Sequence, residues 1–286
     1  MHPRGPFQPA TLVVCRFDTY KCQAYSHVST AFTHEYLFLL SEMDPVIHAT
    51  VESQVLTGTS PVVDMSTWTA TIWFINGRTA PDTLLDKSVP WLPNQPYNCV
   101  PRLHPGEKLL MRVVDAGRDL HPFHTHGNNT IMIARDGRML ESAPGMGADL
   151  ATSNYTIQTV PGQTYDATFE WTGKGLGFDI YGHAPGDPLQ PFESAADHGL
   201  PFPQVSPGVA LTLPNVLDRT DGDFYGGSPF LGTNEAPRPG QVQQNLFGGY
   251  FHMWHSHAER EITNDNVYPG GMMTMVVIEP HGVPIP

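Results

Sequence analysis

Two short histidine motifs carry the chemistry open to this chain. "HPFHTHG" places His121, His124 and His126 within six residues, and "HSH" places His255 and His257 two apart. Along a strand, residues i and i+2 point to the same face roughly 7 Å apart, so each His-x-His can present two imidazoles to one site. Two such strands side by side make a polyhistidine cage. Imidazole binds copper, zinc, iron and nickel, so the cage alone leaves the metal open. Ordinary hydrogen-bonded histidines on a polar sheet face would account for one such motif. Two of them, one preceded by a third histidine and followed by glycine, point instead to metal binding.

The elements that must hold these motifs read as a sheet protein. The 286 residues are 40% hydrophobic, enough to bury a core, and include 28 prolines and 27 glycines with no sustained run at helical spacing. "HEYLFLLSE" and "VIHATVES" are predicted as strands separated by a turn at Asp44-Pro45. "STWTATIWFINGR" alternates apolar and polar residues up to Asn76-Gly77, and "NTIMIARDGRML" carries a hairpin signal at Asp136-Gly137. "EKLLMRVVD" and the two segments joined through Pro161-Gly162 add further strands. From about 182 to 248 the pattern gives way to a long stretch rich in proline, glycine and aspartate, read as an ordered insertion or lid over one end. "GYFHMWHSH" and "MMTMVVIEP" then return the chain to the sheet, the last strand pairing back into the body. This is the rhythm of a two-layer β-sandwich.

Composition excludes some partners. A formal charge of -13, with 15 scattered basic residues, supplies no phosphate-binding footprint, so nucleic acid is not expected. No apolar run is long enough to span a bilayer, and the first fifteen residues lack the pattern of an export signal. Cys15, Cys22 and Cys99 allow one internal disulfide at most; Cys15 with Cys22 is the nearest pair, with buried free thiols as the alternative. None of the three lies near the histidine motifs. Met272, Met273 and Met275 read as core filling, His252 as facing away from the cage, and His27, His34 and His48 as surface or loop residues.

"HPFHTHG" and "WHSHAEREITNDNVYPGGMMTMVVIEP" resemble the two C-terminal copper motifs of the multicopper oxidases, the laccase-like family built of cupredoxin domains. "FINGRTAPDT", "RVVDAGRDLHPFHTHG" and "VPGQTYDATFEW" resemble that family's last domain in order and context, so the likeness covers about 66–180 and 245–280. It implies an all-β, cupredoxin-like Greek-key β-sandwich at 66–286, with the insertion at about 182–248. Residues 1–65, including "EYLFLLSEMDP", look like the end of a preceding cupredoxin domain and a linker. By resemblance, His121 binds a type 1 copper, His124 a type 2 copper, and His126, His255 and His257 a type 3 pair.

The departures from the family are chemically severe. Ser256 stands where the family has the cysteine of the type 1 site, and Glu261 where it has a histidine. A type 1 site needs a thiolate for its potential and its electron relay, and a serine hydroxyl is a hard, poor ligand for Cu(I). Glu261 is read either as a hard oxygen ligand in a mixed His/Glu site, or as a partner of His121 that raises the histidine pKa where copper once sat. The family's N-terminal His-x-His motifs have no counterpart here, so the chain holds half a cluster. The resemblance therefore implies copper binding, further histidines from a missing N-terminal cupredoxin domain or another subunit, and an extracytoplasmic location. It implies a copper-dependent oxidoreductase that is incomplete alone, or a metal-binding module without oxidase activity.

Overall fold

The structure is a computed structural model that describes residues 14–16, 21–85, 89–94, 97–171, 178–179, 200–201, 250–278 and 285. The expected insertion at 182–248 lies outside the described residues, apart from Leu200–Pro201, which pairs with Phe178–Asp179.

Twelve strands form the two layers of a sandwich. They are β1 (His34–Met43), β2 (Ile72–Ile75), β3 (Arg102–Leu103), β4 (Lys108–Asp115), β5 (His121–Thr125), β6 (Thr130–Arg135), β7 (Arg138–Met139), β8 (Thr152–Asn154), β9 (Thr156–Thr159), β10 (Thr164–Glu170), β11 (Tyr250–Ser256) and β12 (Met273–Ile278). One sheet runs β7-β6-β10-β4-β1-β2, with β8 also on β6; the other runs β9-β5-β11-β12-β3. Pairing is antiparallel except between β1 and β4 and between β12 and β3. The last strand does pair back into the body, along β11. The turns at Asn76-Gly77 and Asp136-Gly137 form as predicted, with positive φ at both residues of each.

The segment predicted as a strand at 46–53 is instead a helix, α1 (Pro45–Leu56). Asp44 is its cap, not a turn residue: its carboxylate accepts from the N–H groups of Val46 and Ile47, while Pro45 starts the first turn. No residue of α1 is buried, so the cap offsets the β-branched composition with only the partial burial of Ile47 and Val51 beside it. Strand β1 lies one strand in from the edge of the larger sheet, hydrogen-bonded on one side to β2 and on the other to β4. A division at residue 65 therefore has no counterpart in the strand pairing.

The layers meet through alternating side chains. Phe38 and Leu40 of β1, Met111 and Val113 of β4, and Phe169 of β10 pack against Phe123 of β5 and Trp254 of β11. The Phe38 ring lies 5.2 Å from Phe123 and 5.9 Å from Trp254. Each such fully buried side chain contributes roughly 1.5–3 kcal/mol. Met272 is buried in this interior, while Met273 and Met275 are buried in two smaller clusters, with Met253 and with Val277 respectively; all three fill core, as expected. Cys22 is disulfide-bonded, and its partner across the strand ladder is Cys15. Cys99 is a free thiol that burial pushes up to about 12, and it donates to the carbonyl of Ile75.

Candidate metal centre

The packing of Phe123 and Trp254 decides where every histidine points. In β5, Phe123 enters the core, so His121, two residues earlier, shares the inner face and His124 takes the outer one. In β11, Trp254 enters the core, so Ser256 shares the inner face and His255 the outer one. The register sets His255 directly opposite His124. Beyond the strand ends, His126 donates its backbone N–H to Met253 and His257 donates to Pro122. Gly127, at φ +73°, turns the chain immediately after His126.

Four imidazoles therefore gather on the outer face. Ring centroids lie 5.3 Å apart for His124 and His255, 4.9 Å for His124 and His257, 5.4 Å for His124 and His126, and 5.7 Å for His255 and His257. Ligand atoms of His124, His126 and His255 all lie within 4.8 Å of one another. His124 and His255 are buried, His126 half-buried and His257 exposed, so the cage opens to one side. His252 lies elsewhere, against the Trp171 ring, as expected from its position three residues before His255.

The surrounding groups suit metal binding. The His255 Nδ1–H donates to the carbonyl of Ser256 at 2.7 Å, which fixes the tautomer and leaves Nε2 with a lone pair. The Thr156 hydroxyl holds His124 Nδ1 at 2.9 Å, leaving Nε2 for the site. His126 Nδ1 faces His255 Nε2 at 3.4 Å. Two bare lone pairs repel at that distance, so a proton or a cation must lie between them. Burial, then the neighbouring His257 and His126, lowers His124 below the ordinary histidine value, and burial holds His255 down to about 4. Burial and His257 also lower His126. Neutral imidazoles at pH 7 are the form that ligates metal.

The inner face holds a different constellation. His121 is fully buried, with Nδ1 3.0 Å from Glu261 and Nε2 3.0 Å from Glu42 of the opposite sheet. The Ser256 hydroxyl donates to the same Glu261 oxygen that His121 meets. Burial alone would lower His121, but hydrogen bonds to Glu261 and then Glu42 outweigh it and raise its pKa to about 10. Burial would raise the Glu42 carboxyl; the hydrogen bond from His121 and the N–H groups of Arg118 and Asp119 bring it below its ordinary value instead. His121 is thus an imidazolium whose two N–H groups both donate to carboxylates, and it has no lone pair to give a metal. This is the ion-pair alternative for Glu261, with a second carboxylate added.

A type 1 copper does not fit these residues. The thiolate is absent, and His121, Ser256 and Glu261 converge on one carboxylate oxygen in a closed hydrogen-bond network. Sequence reasoning missed Glu42 and Thr156. Glu42 shares the inward face of β1 with Phe38 and Leu40, a signal that only the correct placement of β1 in this sheet exposes.

No protein-family model matches the chain, and no curated protein does. Among solved structures, it is similar to a blue copper oxidase from Nitrosomonas europaea at 16% identity, with 86% of this chain and 43% of that one covered and a TM-score of 0.43. It is also similar to the multicopper oxidase mgLAC at 15% identity, with 89% and 46% covered and a TM-score of 0.44. A copper-containing nitrite reductase from Thermus scotoductus matches at 9% identity, with 91% and 34% covered and a TM-score of 0.37. The chain spans less than half the length of each. At such identities and scores, its own residues must carry any claim about its chemistry.

Proposed function

We propose that this chain is a copper-binding, multicopper-oxidase-like domain serving a copper-dependent oxidoreductase that couples oxidation of a substrate to oxygen. The observation that carries the reading is the convergence of His124, His126, His255 and His257 on one face, with ring centroids about 5–6 Å apart. Ligand nitrogens sit roughly 2.0–2.1 Å from a bound ion, and the ligand atoms of His124, His126 and His255, all within 4.8 Å of one another, are near enough to share one, with His257 beside them. Copper, when bound, supplies one-electron chemistry toward oxygen. The chain's part is to hold His124, His126 and His255 neutral, fix the His255 tautomer through the Ser256 carbonyl, steady His124 Nδ1 against Thr156, and leave one side of the cage open.

That open side is where further histidines from an N-terminal cupredoxin domain or another subunit complete the cluster. Glu261 and His121 lie outside the copper set in this reading, as a salt bridge where a type 1 copper would stand. Without a thiolate relay, the chain alone does not run four-electron reduction of oxygen. An extracytoplasmic location accompanies the reading, by the same resemblance.

The buried His121 triad favours a second reading, a metal-binding module without oxidase activity. Copper analysis and oxygen uptake on residues 1–286, and on a longer protein carrying an upstream cupredoxin domain, distinguish the two. Copper below four per chain, lost in the doubly substituted His255→Ala, His257→Ala protein, with oxygen consumption only in the longer protein, supports the first. Rapid oxygen consumption by residues 1–286 alone would overturn the half-cluster argument.

A further inference from the structure

A cleft of about 550 Å³ opens at the end of the sandwich beside the His121 triad, walled by Trp68, Thr69, Trp73, Arg118, Asp119 and Arg260. We propose that it binds a small planar organic carboxylate, gripped by Arg118 and Arg260. Its volume falls in the range of small-molecule sites, roughly 300–1,000 Å³.

Two arginines lie against the two indoles. The Arg118 guanidinium sits 4.8 Å over the Trp68 ring, and that of Arg260 sits 5.6 Å over Trp73. Arg118 spends one N–H on the Met65 carbonyl at 3.4 Å; a guanidinium held against an indole can still meet a carboxylate with its remaining N–H groups in bidentate fashion. Two other basic side chains are paired with carboxylates: Arg112 with Glu35 and Asp166, and Lys108 with Glu170. Among the described residues, neither Arg118 nor Arg260 has a carboxylate partner, although the chain carries 28 acidic residues against 15 basic ones.

The cleft's own acids do not fill that role. Glu261 is held by His121 and Ser256. Asp119 lies in the same wall but forms no ion pair with either arginine among the described residues. Half-buried Trp68 adds a flat apolar surface for a ring.

The proposal is independent of the histidine cage, so the metal-free chain tests it. Benzoate is the probe, with benzyl alcohol, benzylammonium and acetate as controls, read by calorimetry and by the tryptophan indole N–H resonances. The expected result is saturable benzoate binding that shifts the Trp68 and Trp73 resonances, with weaker acetate binding and none by the alcohol or the cation. Arg118→Gln and Arg260→Gln should each weaken benzoate about ten-fold. Arg118→Lys should weaken it less, because it keeps the charge and loses the fork. Benzyl alcohol binding as tightly as benzoate, absence of saturation, or full affinity in the Arg118→Gln, Arg260→Gln protein would each overturn the proposal.

Discussion

Glu261→Gln separates a buried ion triad from a vestigial metal site. In the folded chain the two carboxylates raise His121 from 6.5 to about 10. At roughly 1.4 kcal/mol per unit, that is on the order of 5 kcal/mol of preference for the charged imidazole. A proton held more tightly by the folded state stabilises it fully below 6.5, where the histidine is charged whether folded or not. The contribution then declines as pH rises and is gone above about 10. Glu42 works in the opposite window, because its lowered carboxyl adds stability above 4.5 that is lost on acidification. The triad should therefore be strongest between 4.5 and 6.5. Replacing Glu261 by a neutral amide leaves Glu42 as the one carboxylate on a buried imidazolium, which should cost about 3 kcal/mol at pH 6 and little near pH 10. Urea denaturation of the metal-free chain and the variant at pH 6, 8 and 10 reads the difference, and titration of the His121 ring by NMR reads its cause. Parallel stability curves for the two proteins, or a wild-type His121 that titrates near 6.5, would refute the reasoning.

Copper-loaded chain should show only the weak band of imidazole-bound Cu(II), because no thiolate lies between His255 and His257; an intense blue band would contradict the site assignment. The paired change Ser256→Cys with Glu261→His should introduce part of that band, since Ser256 and His121 Nδ1 already converge on one Glu261 oxygen and Glu42 remains to orient the ring through Nε2; a copper complex without it would mean the convergence is too loose. Copper uptake should persist as pH falls toward 5, because burial holds His255 down to about 4 and protons compete poorly there; half-loss near pH 6.5 in a competition assay would show an ordinary, exposed cage. Asp44→Ala should cost about 1 kcal/mol and reduce helical circular dichroism, and an unchanged spectrum would show that α1 does not depend on its cap.

What the sequence made legible follows from which interactions are local. Alternation along a strand needs no knowledge of the rest of the chain, so that each His-x-His turns its imidazoles to one site was legible from spacing, whereas the meeting of His124 and His126 with His255 and His257 was implied by the family resemblance. The hairpins at Asn76-Gly77 and Asp136-Gly137 were legible for the same reason, each being set by two residues that tolerate positive φ. α1 was misread because its signal lies in one cap residue, while its valines and isoleucine argue for a strand and no tertiary contact overrules the cap. Glu42 was invisible because its role depends on β1 lying between β2 and β4, a pairing across about 70 residues of chain that no local pattern encodes. That same placement explains why His121 and its neighbours part company with the cage. Phe123 and Trp254 send His121 and Ser256 inward, where a second sheet supplies a carboxylate, and send His124 and His255 outward, where among the described residues no carboxylate meets them. With serine at 256 and glutamate at 261 the inward set closes on itself as an ion triad, whereas the outward set keeps imidazole lone pairs for a proton or a cation. The faces of one sheet thus carry separable chemistry.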